Sequence, residues 1–241
     1  MTNRPHRTLP DISAERTETE RLPGWPEIVA GLGAAAAVMG ALVLLAPFLP
    51  TDPVAYGLTL AAWSAAVGFV GFGVAFAIRI RSLAVFGVRR TTWRWLLIGV
   101  GAGIVAFLLK GAVNAGLIAL GFGADAQVPF QQAGNGGVVA LIVTFVCLSF
   151  LVPFGEELLF RGVLMRGLLR YGAVVAVLGS SVVFALFHGI NLALPTAIVV
   201  GIIAAEVARR SGSIWPAVAV HVVNNLALPV FVLFLGLGSG V

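Results

Sequence analysis

The chain has 241 residues, of which 59% are hydrophobic and 10% are charged, and its formal net charge is +5. Soluble domains carry about 25% charged residues, so this composition excludes an ordinary soluble protein. A spanning helix needs about 20 apolar residues, which leaves room for about seven such helices beside a polar tail and loops. The single cysteine, Cys147, excludes an internal disulfide and a paired-cysteine metal site.

The predicted elements begin with a polar tail. Residues 1–25 mix arginine with aspartate and glutamate, which predicts a disordered cytoplasmic tail. Residues 26–241 alternate apolar runs with turns that contain proline or glycine, and they predict an all-α, polytopic transmembrane helix bundle. The predicted helices cover 28–48, 54–78, 95–120, 136–168, 173–189, 195–209 and 214–236. The stretch 121–137 predicts a loop.

The positions of lysine and arginine predict the topology, because loops rich in these residues stay on the cytoplasmic side of a membrane. Thirteen of the fifteen basic residues lie in the tail or in the loops after the second, fourth and sixth predicted helices. The intervening loops 49–53, 121–135 and 190–194 contain none. We therefore expect a cytoplasmic N-terminus and no nucleic-acid partner, since the positive charge follows the membrane topology.

Few ionisable residues fall inside the predicted spans, where a charge costs at least a few kcal/mol. Glu206 precedes Arg209 and Arg210 near the inner interface, and we expect it to pair with them. Lys110 lies about 15 residues into the third span. It either pairs with a buried carboxylate or extends its amine toward the membrane surface.

Two adjacent glutamates in the fourth predicted helix differ in their expected partners. Glu157 and Arg161 are spaced i and i+4, which favours an ion pair. Glu156 lies about 100° around the helix and has no such cation, so it suits a general base or acid. From this segment alone, an interfacial charge cluster without a catalytic role remains the alternative.

Two histidines outside the tail fall at the same predicted depth as Glu156. With a rise of about 1.5 Å per residue, Glu156, His188, His221 and Asn225 all lie about 16–24 Å from the nearest inner turn. We expect a carboxylate, two imidazoles and an amide to meet in one layer of the membrane. The i, i+4 spacing also places Phe184 over His188, and His221 over Asn225, on one helix face.

Three short motifs follow one another on separate predicted helices: Glu156-Glu157-xxx-Arg161, Phe184-xxx-His188 and His221-xxx-Asn225. Together they resemble the motif set of the CPBP intramembrane proteases, a family named for CAAX proteases and bacteriocin-processing enzymes. The resemblance extends over about 70 residues. The first half of the chain resembles the family only in its hydrophobic helices.

The resemblance implies an intramembrane endopeptidase whose catalytic half covers about 136–236. In the family, the first glutamate and the histidine of the second motif are taken to activate water, which corresponds to Glu156 and His188. The histidine and asparagine of the third motif are taken to stabilise the oxyanion, which corresponds to His221 and Asn225. We expect three further residues to support the site: Glu157, Arg161 and Phe184.

The need for a cofactor is open at this point. A zinc ion held by Glu156, His188 and His221, with one open position, would suit a metalloprotease. The two histidines are 33 residues apart, however, and no HExxH pair is present. We therefore favour hydrolysis without a metal, with a divalent metal such as zinc as the alternative.

Two other classes of function use similar residues. A proton-coupled transporter also carries buried ionisable groups, but we find no internal repeat in the chain. A non-catalytic scaffold or bacteriocin-immunity protein would use the motifs for assembly alone.

For a protease, the expected partners are the lipid bilayer and a membrane-associated peptide or protein substrate, lipidated substrates included. The arginine-rich, lysine-poor composition predicts a multi-pass protein of a bacterial plasma (inner) membrane.

Overall fold

The computed structural model describes residues 22–122 and 128–235, with side chains described up to residue 226. All of the regular elements in these ranges are helical, which confirms the all-α prediction for the described residues. The main helices are α1 Trp25–Leu44, α2 Pro53–Ile78, α3 Trp93–Ala119, α4 Val128–Gly134, α5 Val138–Tyr171, α6 Ala173–Leu186, α7 Ala193–Ser211 and α8 Trp215–Leu235. Residues 1–21 of the predicted tail lie outside the described residues.

Four of these helices, α1, α2, α3 and α5, are long and apolar enough to cross a membrane. Helix α6 is apolar but has only 14 residues, and α7 carries Glu206, Arg209 and Arg210 in its last turns. Length and composition therefore support a multi-pass membrane protein, while the predicted number of about seven spans is not confirmed.

Two details of the predicted helices are wrong. Helix α6 ends at Leu186 instead of residue 189, so His188 lies in the turn after the helix. The turn forms because the N–H of His188 donates to the Ala185 carbonyl and because Gly189 has a φ of +82°, which ends helical geometry. The predicted loop 121–137 contains the short helix α4, whose Ala133 is fully buried against α2.

The N-terminus of α1 is tied to the end of α2 by an ion pair that the sequence analysis did not predict. The carboxylate of Glu27 accepts hydrogen bonds from the N–H of Gly24 at 2.6 Å and from Nε of Arg79 at 2.6 Å. Glu27 is fully buried. Because 52 residues separate the two partners, helical spacing could not have indicated this pair.

Helix α2 packs against α5 through glycine, directly beside the two adjacent glutamates. A Cβ atom at Gly68 would lie 2.7 Å from the backbone nitrogen of Glu156. A Cβ atom at Gly155 would in turn lie 3.2 Å from the backbone nitrogen of Phe69. Small residues allow this close approach of the two backbones, and the contact places Glu156 relative to α2.

Helix α5 departs from α-helical geometry on both sides of the glutamates. The segments Cys147–Leu151 and Glu157–Met165 are π-helical, and the N–H of Val152 donates to the carbonyl of Cys147, five residues earlier. In this register the donor opposite the Leu148 carbonyl would be Pro153, which has no N–H. The Leu148 carbonyl is therefore free to accept a hydrogen bond from a side chain. Such π-helical turns often occur at functional sites.

The close approach of α2 and α5 predicts opposite effects for two glycines of α2. Gly68→Ala should lower the free energy of unfolding by about 1–3 kcal/mol, because the added methyl group overlaps the α5 backbone. Gly73→Ala should be neutral or slightly stabilising, since no atom lies within 4 Å of its added Cβ. Thermal unfolding in detergent measures both variants, and equal melting temperatures would contradict the role of Gly68.

Candidate functional site

A single carboxylate oxygen joins two helices in the interior of the protein. Oε1 of Glu157 lies 3.1 Å from Nη1 of Arg161, which confirms the i, i+4 ion pair. The same oxygen accepts a hydrogen bond of 2.9 Å from Nδ1 of His221 on α8. Both Glu157 and Arg161 are fully buried. Since Arg161 also donates to the Gly201 carbonyl at 3.0 Å, the cluster connects α5, α7 and α8.

Glu156 occupies a different environment from its neighbour Glu157. Its side chain is 13% exposed, whereas that of Glu157 is completely buried. Its Oε2 atom lies 3.6 Å from Nε2 of His221, too far for a good hydrogen bond but close enough for an ion pair. Within the described part of the chain, this oxygen has no hydrogen-bond partner. This Oε2 atom is itself buried, and Oε2 of Glu157 likewise has no hydrogen-bond partner among the described residues. The two glutamates therefore differ in that only the Glu156 side chain is partly exposed.

The two ring nitrogens of His221 both face carboxylates. Nδ1 must carry a hydrogen, because an ionised carboxylate of Glu157 can only accept a hydrogen bond. Nε2 faces Oε2 of Glu156, and the contact between these two atoms is favourable when one of them carries a proton. The sequence analysis had given Glu156 no partner; the structure provides one from a helix 65 positions further along the chain.

Phe184 lies between the two histidines. Its ring centroid is 4.7 Å from that of His188 and 5.6 Å from that of His221, and the residue is only 1% exposed. The contact between Phe184 and His188 agrees with their predicted spacing. The guanidinium carbon of Arg161 is 4.5 Å from the Phe184 ring centroid, within the range of a cation–π interaction.

The hydrogen bond of His188 indicates its tautomer. Nδ1 lies 2.9 Å from the backbone carbonyl of Phe184, and a carbonyl oxygen can only accept. Nδ1 therefore carries the hydrogen, and in the neutral ring Nε2 keeps a lone pair that can accept a proton. The Asn191 side chain holds the turn after α6, because it donates to the His188 carbonyl and accepts from the Ala193 N–H.

The side-chain amide of Asn225 is oriented by two hydrogen bonds. Its Nδ2 donates to the Leu148 carbonyl at 2.9 Å, which is the carbonyl that Pro153 leaves free in the π-helical turn. Its Oδ1 accepts from Nδ2 of Asn224 at 2.9 Å. Because a carbonyl cannot donate, the first bond fixes which end of the Asn225 amide points toward Leu148, and one N–H remains for another acceptor.

Asn224 is a residue of this site that the motifs did not indicate. It is 3% exposed, and its Oδ1 has no hydrogen-bond partner among the described residues. The motif that ends at Asn225 does not include it. A second consecutive amide in an apolar helix was the available signal, since burial of an amide is costly unless the amide has a partner.

The three residues proposed as zinc ligands do not fit a metal site. No three histidine, cysteine, aspartate or glutamate side chains among the described residues converge to hold an ion. The metalloprotease alternative through Glu156, His188 and His221 is therefore not supported.

The remaining membrane charges have simpler surroundings. Glu206 pairs with Arg209 at 2.7 Å and with Arg210 at 2.5 Å, which confirms the predicted pairing. Lys110 is half-buried on α3 and forms no ion pair within the described ranges. The structure thus does not bear out a carboxylate partner for Lys110.

Comparison with known proteins gives a family match in the second half of the chain. Residues 138–227 match the model of the Rce1-like family, described as type II CAAX prenyl endopeptidase Rce1-like. This match confirms the resemblance to the CAAX-protease family, and its range contains all three motifs. It covers just over a third of the chain. No curated protein and no solved structure gives a match.

The buried cluster predicts a large difference between two glutamate variants. Glu157→Ala should lower the free energy of unfolding by about 3–5 kcal/mol, because it leaves the buried Arg161 without its carboxylate. Glu206→Ala is the matched control, and we expect a loss of about 1 kcal/mol or less because its ion pairs are partly exposed. Unfolding in detergent checks both values, and a small effect of Glu157→Ala would show that the cluster does not hold the helices together.

Proposed function

From the family match over residues 138–227, we propose that the chain is a CAAX-protease-like intramembrane endopeptidase. It hydrolyses a peptide bond in a membrane-associated peptide or protein. The observation that carries this proposal is the partly exposed side chain of Glu156, whose Oε2 lies 3.6 Å from Nε2 of His221 in an otherwise buried cluster. A peptidase needs such an accessible base beside a donor that can stabilise the oxyanion.

In the proposed first step, Glu156 and His188 activate a water molecule. The carboxylate of Glu156 removes a proton from the water, and Nε2 of His188 accepts the other hydrogen bond of the water. The water oxygen then forms a bond with the carbonyl carbon of the substrate peptide. The carbonyl oxygen takes up the negative charge.

The proposed oxyanion site consists of His221 and Asn225. His221, protonated at both nitrogens, donates from Nε2, and the Asn225 amide donates its remaining N–H. The buried carboxylate of Glu157 stabilises the imidazolium of His221 through Nδ1, as the aspartate of a catalytic triad does. When the C–N bond breaks, Glu156 returns its proton to the leaving amine nitrogen. The four residues therefore supply each part of the reaction without a cofactor.

We also propose a topology of about seven spans with a cytoplasmic N-terminus, in a bacterial inner membrane. The one-sided distribution of arginine supports it. So does the agreement between the seven predicted helices and α1, α2, α3, α5, α6, α7 and α8. Lipidated substrates fit this location, because a lipid anchor holds a peptide at the membrane surface.

The other two classes of function receive less support. A proton-coupled transporter or a non-catalytic immunity protein or scaffold would not need a partly exposed glutamate, an imidazole with an available Nε2 and an oriented amide together. The family match also points to a peptidase. A purified chain that binds a membrane peptide without cleaving it would favour the non-catalytic alternative.

Substitution of the proposed catalytic residues should abolish cleavage without unfolding the protein. Glu156→Gln removes the base, and Asn225→Ala should lower kcat about 10²–10³-fold by the loss of one oxyanion donor. Glu206→Gln, outside the site, should keep full activity. The assay follows new peptide termini by mass spectrometry in detergent or vesicles. Full activity of Glu156→Gln would exclude this mechanism.

Asn224 should act through Asn225, as a positioning residue. In Asn224→Asp the carboxylate cannot donate to Oδ1 of Asn225, so the oxyanion amide loses its orientation. We expect a lower kcat with a KM close to that of the wild type, because the amide acts in the transition state. If kcat and KM change equally, or if activity falls only as far as the melting temperature does, Asn224 has a structural role alone.

A further inference from the structure

Two arginines converge on one backbone carbonyl at the basic end of the bundle. Nε of Arg89 and Nη2 of Arg166 each donate to the Gly212 carbonyl at 2.5 Å. Arg166 is only 8% exposed, and the two guanidinium groups are close enough to repel each other. In the described part of the chain, neither has a carboxylate within ion-pair distance. A concentration of positive charge without a counter-charge favours an anionic ligand.

The loops that carry these arginines are tied to each other. The N–H of Ile214 donates to the Gly87 carbonyl at 3.0 Å, and the Ser213 hydroxyl donates to the Arg89 carbonyl at 2.8 Å. Gly212 has a φ of +67°, which favours glycine at this position. Residues 87–91 and 212–215 thus form one structural unit, which we call the basic platform. Its charges are held in place before a ligand binds.

An apolar groove begins at the basic platform. It has a volume of about 500 Å³, and its lining includes Arg90, Thr91, Phe150, Trp215 and Val222. Arg90 is exposed at its edge, and the buried hydroxyl of Thr91 has no hydrogen-bond partner among the described residues. The groove therefore combines one cation and one free hydroxyl with an otherwise apolar wall.

We propose that the basic platform and this groove bind an anionic phospholipid. The phosphodiester takes hydrogen bonds from Arg90 and Thr91 beside the charges of Arg89 and Arg166, and one acyl chain lies along the apolar wall. The platform belongs to the predicted cytoplasmic side, where the headgroups of anionic lipids attract arginine. The lining of this groove includes none of the four proposed catalytic residues, and the proposal does not depend on the peptidase activity.

Trp215 provides a direct reporter, because it lines the groove and its fluorescence is quenched by brominated acyl chains that come close to it. The full chain is reconstituted in phosphatidylcholine vesicles that contain brominated phosphatidylglycerol. The signal from Trp215 is obtained by subtraction of the Trp215→Phe variant. We expect brominated phosphatidylglycerol to quench Trp215 at lower mole fractions than brominated phosphatidylcholine does, and this preference should weaken at high salt.

Arg90→Gln should weaken the preference for phosphatidylglycerol about fivefold, the loss expected for one arginine at a lipid surface. Arg81→Gln is the matched control, because Arg81 is an exposed arginine that bonds to the Ala77 carbonyl outside the platform. Equal quenching by both brominated lipids, or equal effects of the two variants, would overturn the proposal. A brominated prenyl peptide in neutral vesicles is the second probe. If it quenches Trp215 equally in the wild type and in Arg90→Gln, the groove binds substrate, and the lipid proposal is overturned as well. The Glu156→Gln variant should retain the lipid preference, which separates this test from that of the peptidase.

Discussion

The second half of the protein is organised around the buried carboxylate of Glu157. A buried carboxylate must be matched by hydrogen-bond donors, because its transfer from water costs several kcal/mol. Here one oxygen faces Arg161 and His221, and Arg161 also donates to Gly201. The two groups that face the carboxylate come from α5 and α8, and the carbonyl that holds Arg161 comes from α7. The carboxylate is therefore stabilised only when the three helices meet in one arrangement. The position of His221 is therefore a consequence of charge burial.

Two irregularities of the backbone complete the arrangement. Gly68 lets α2 approach α5 at the peptide of Glu156, which no larger residue would allow. Pro153 lacks the N–H that would bond to Leu148, and the freed carbonyl accepts the amide of Asn225. Glycine and proline are usually unfavourable inside helices. In α5 and α2 they instead provide the close contact and the free acceptor that a regular helix would lack.

The two adjacent glutamates show how position in a helix separates roles. Glu157 pairs with the buried cation of Arg161 and is completely enclosed, whereas the Glu156 side chain is partly exposed and has only the longer contact with His221. Their neighbour His221 contacts both, so it links the structural carboxylate to the reactive one. In the proposed mechanism this link holds the imidazolium beside the site where the oxyanion forms. In that mechanism, the structural cluster around Glu157 supports the chemistry of the preceding residue, Glu156.

The sequence by itself determined those features that depend on local pattern. Apolar length predicted the helices, i, i+4 spacing predicted the pairs Glu157–Arg161 and Phe184–His188, and three motifs predicted the family. Tertiary structure decided what depends on distant partners: that His221 binds Glu157 and faces Glu156, and that His188 lies in a turn beyond α6. Spacing along one helix is set by its geometry, but contacts between helices depend on how their surfaces pack and which buried charges they must satisfy.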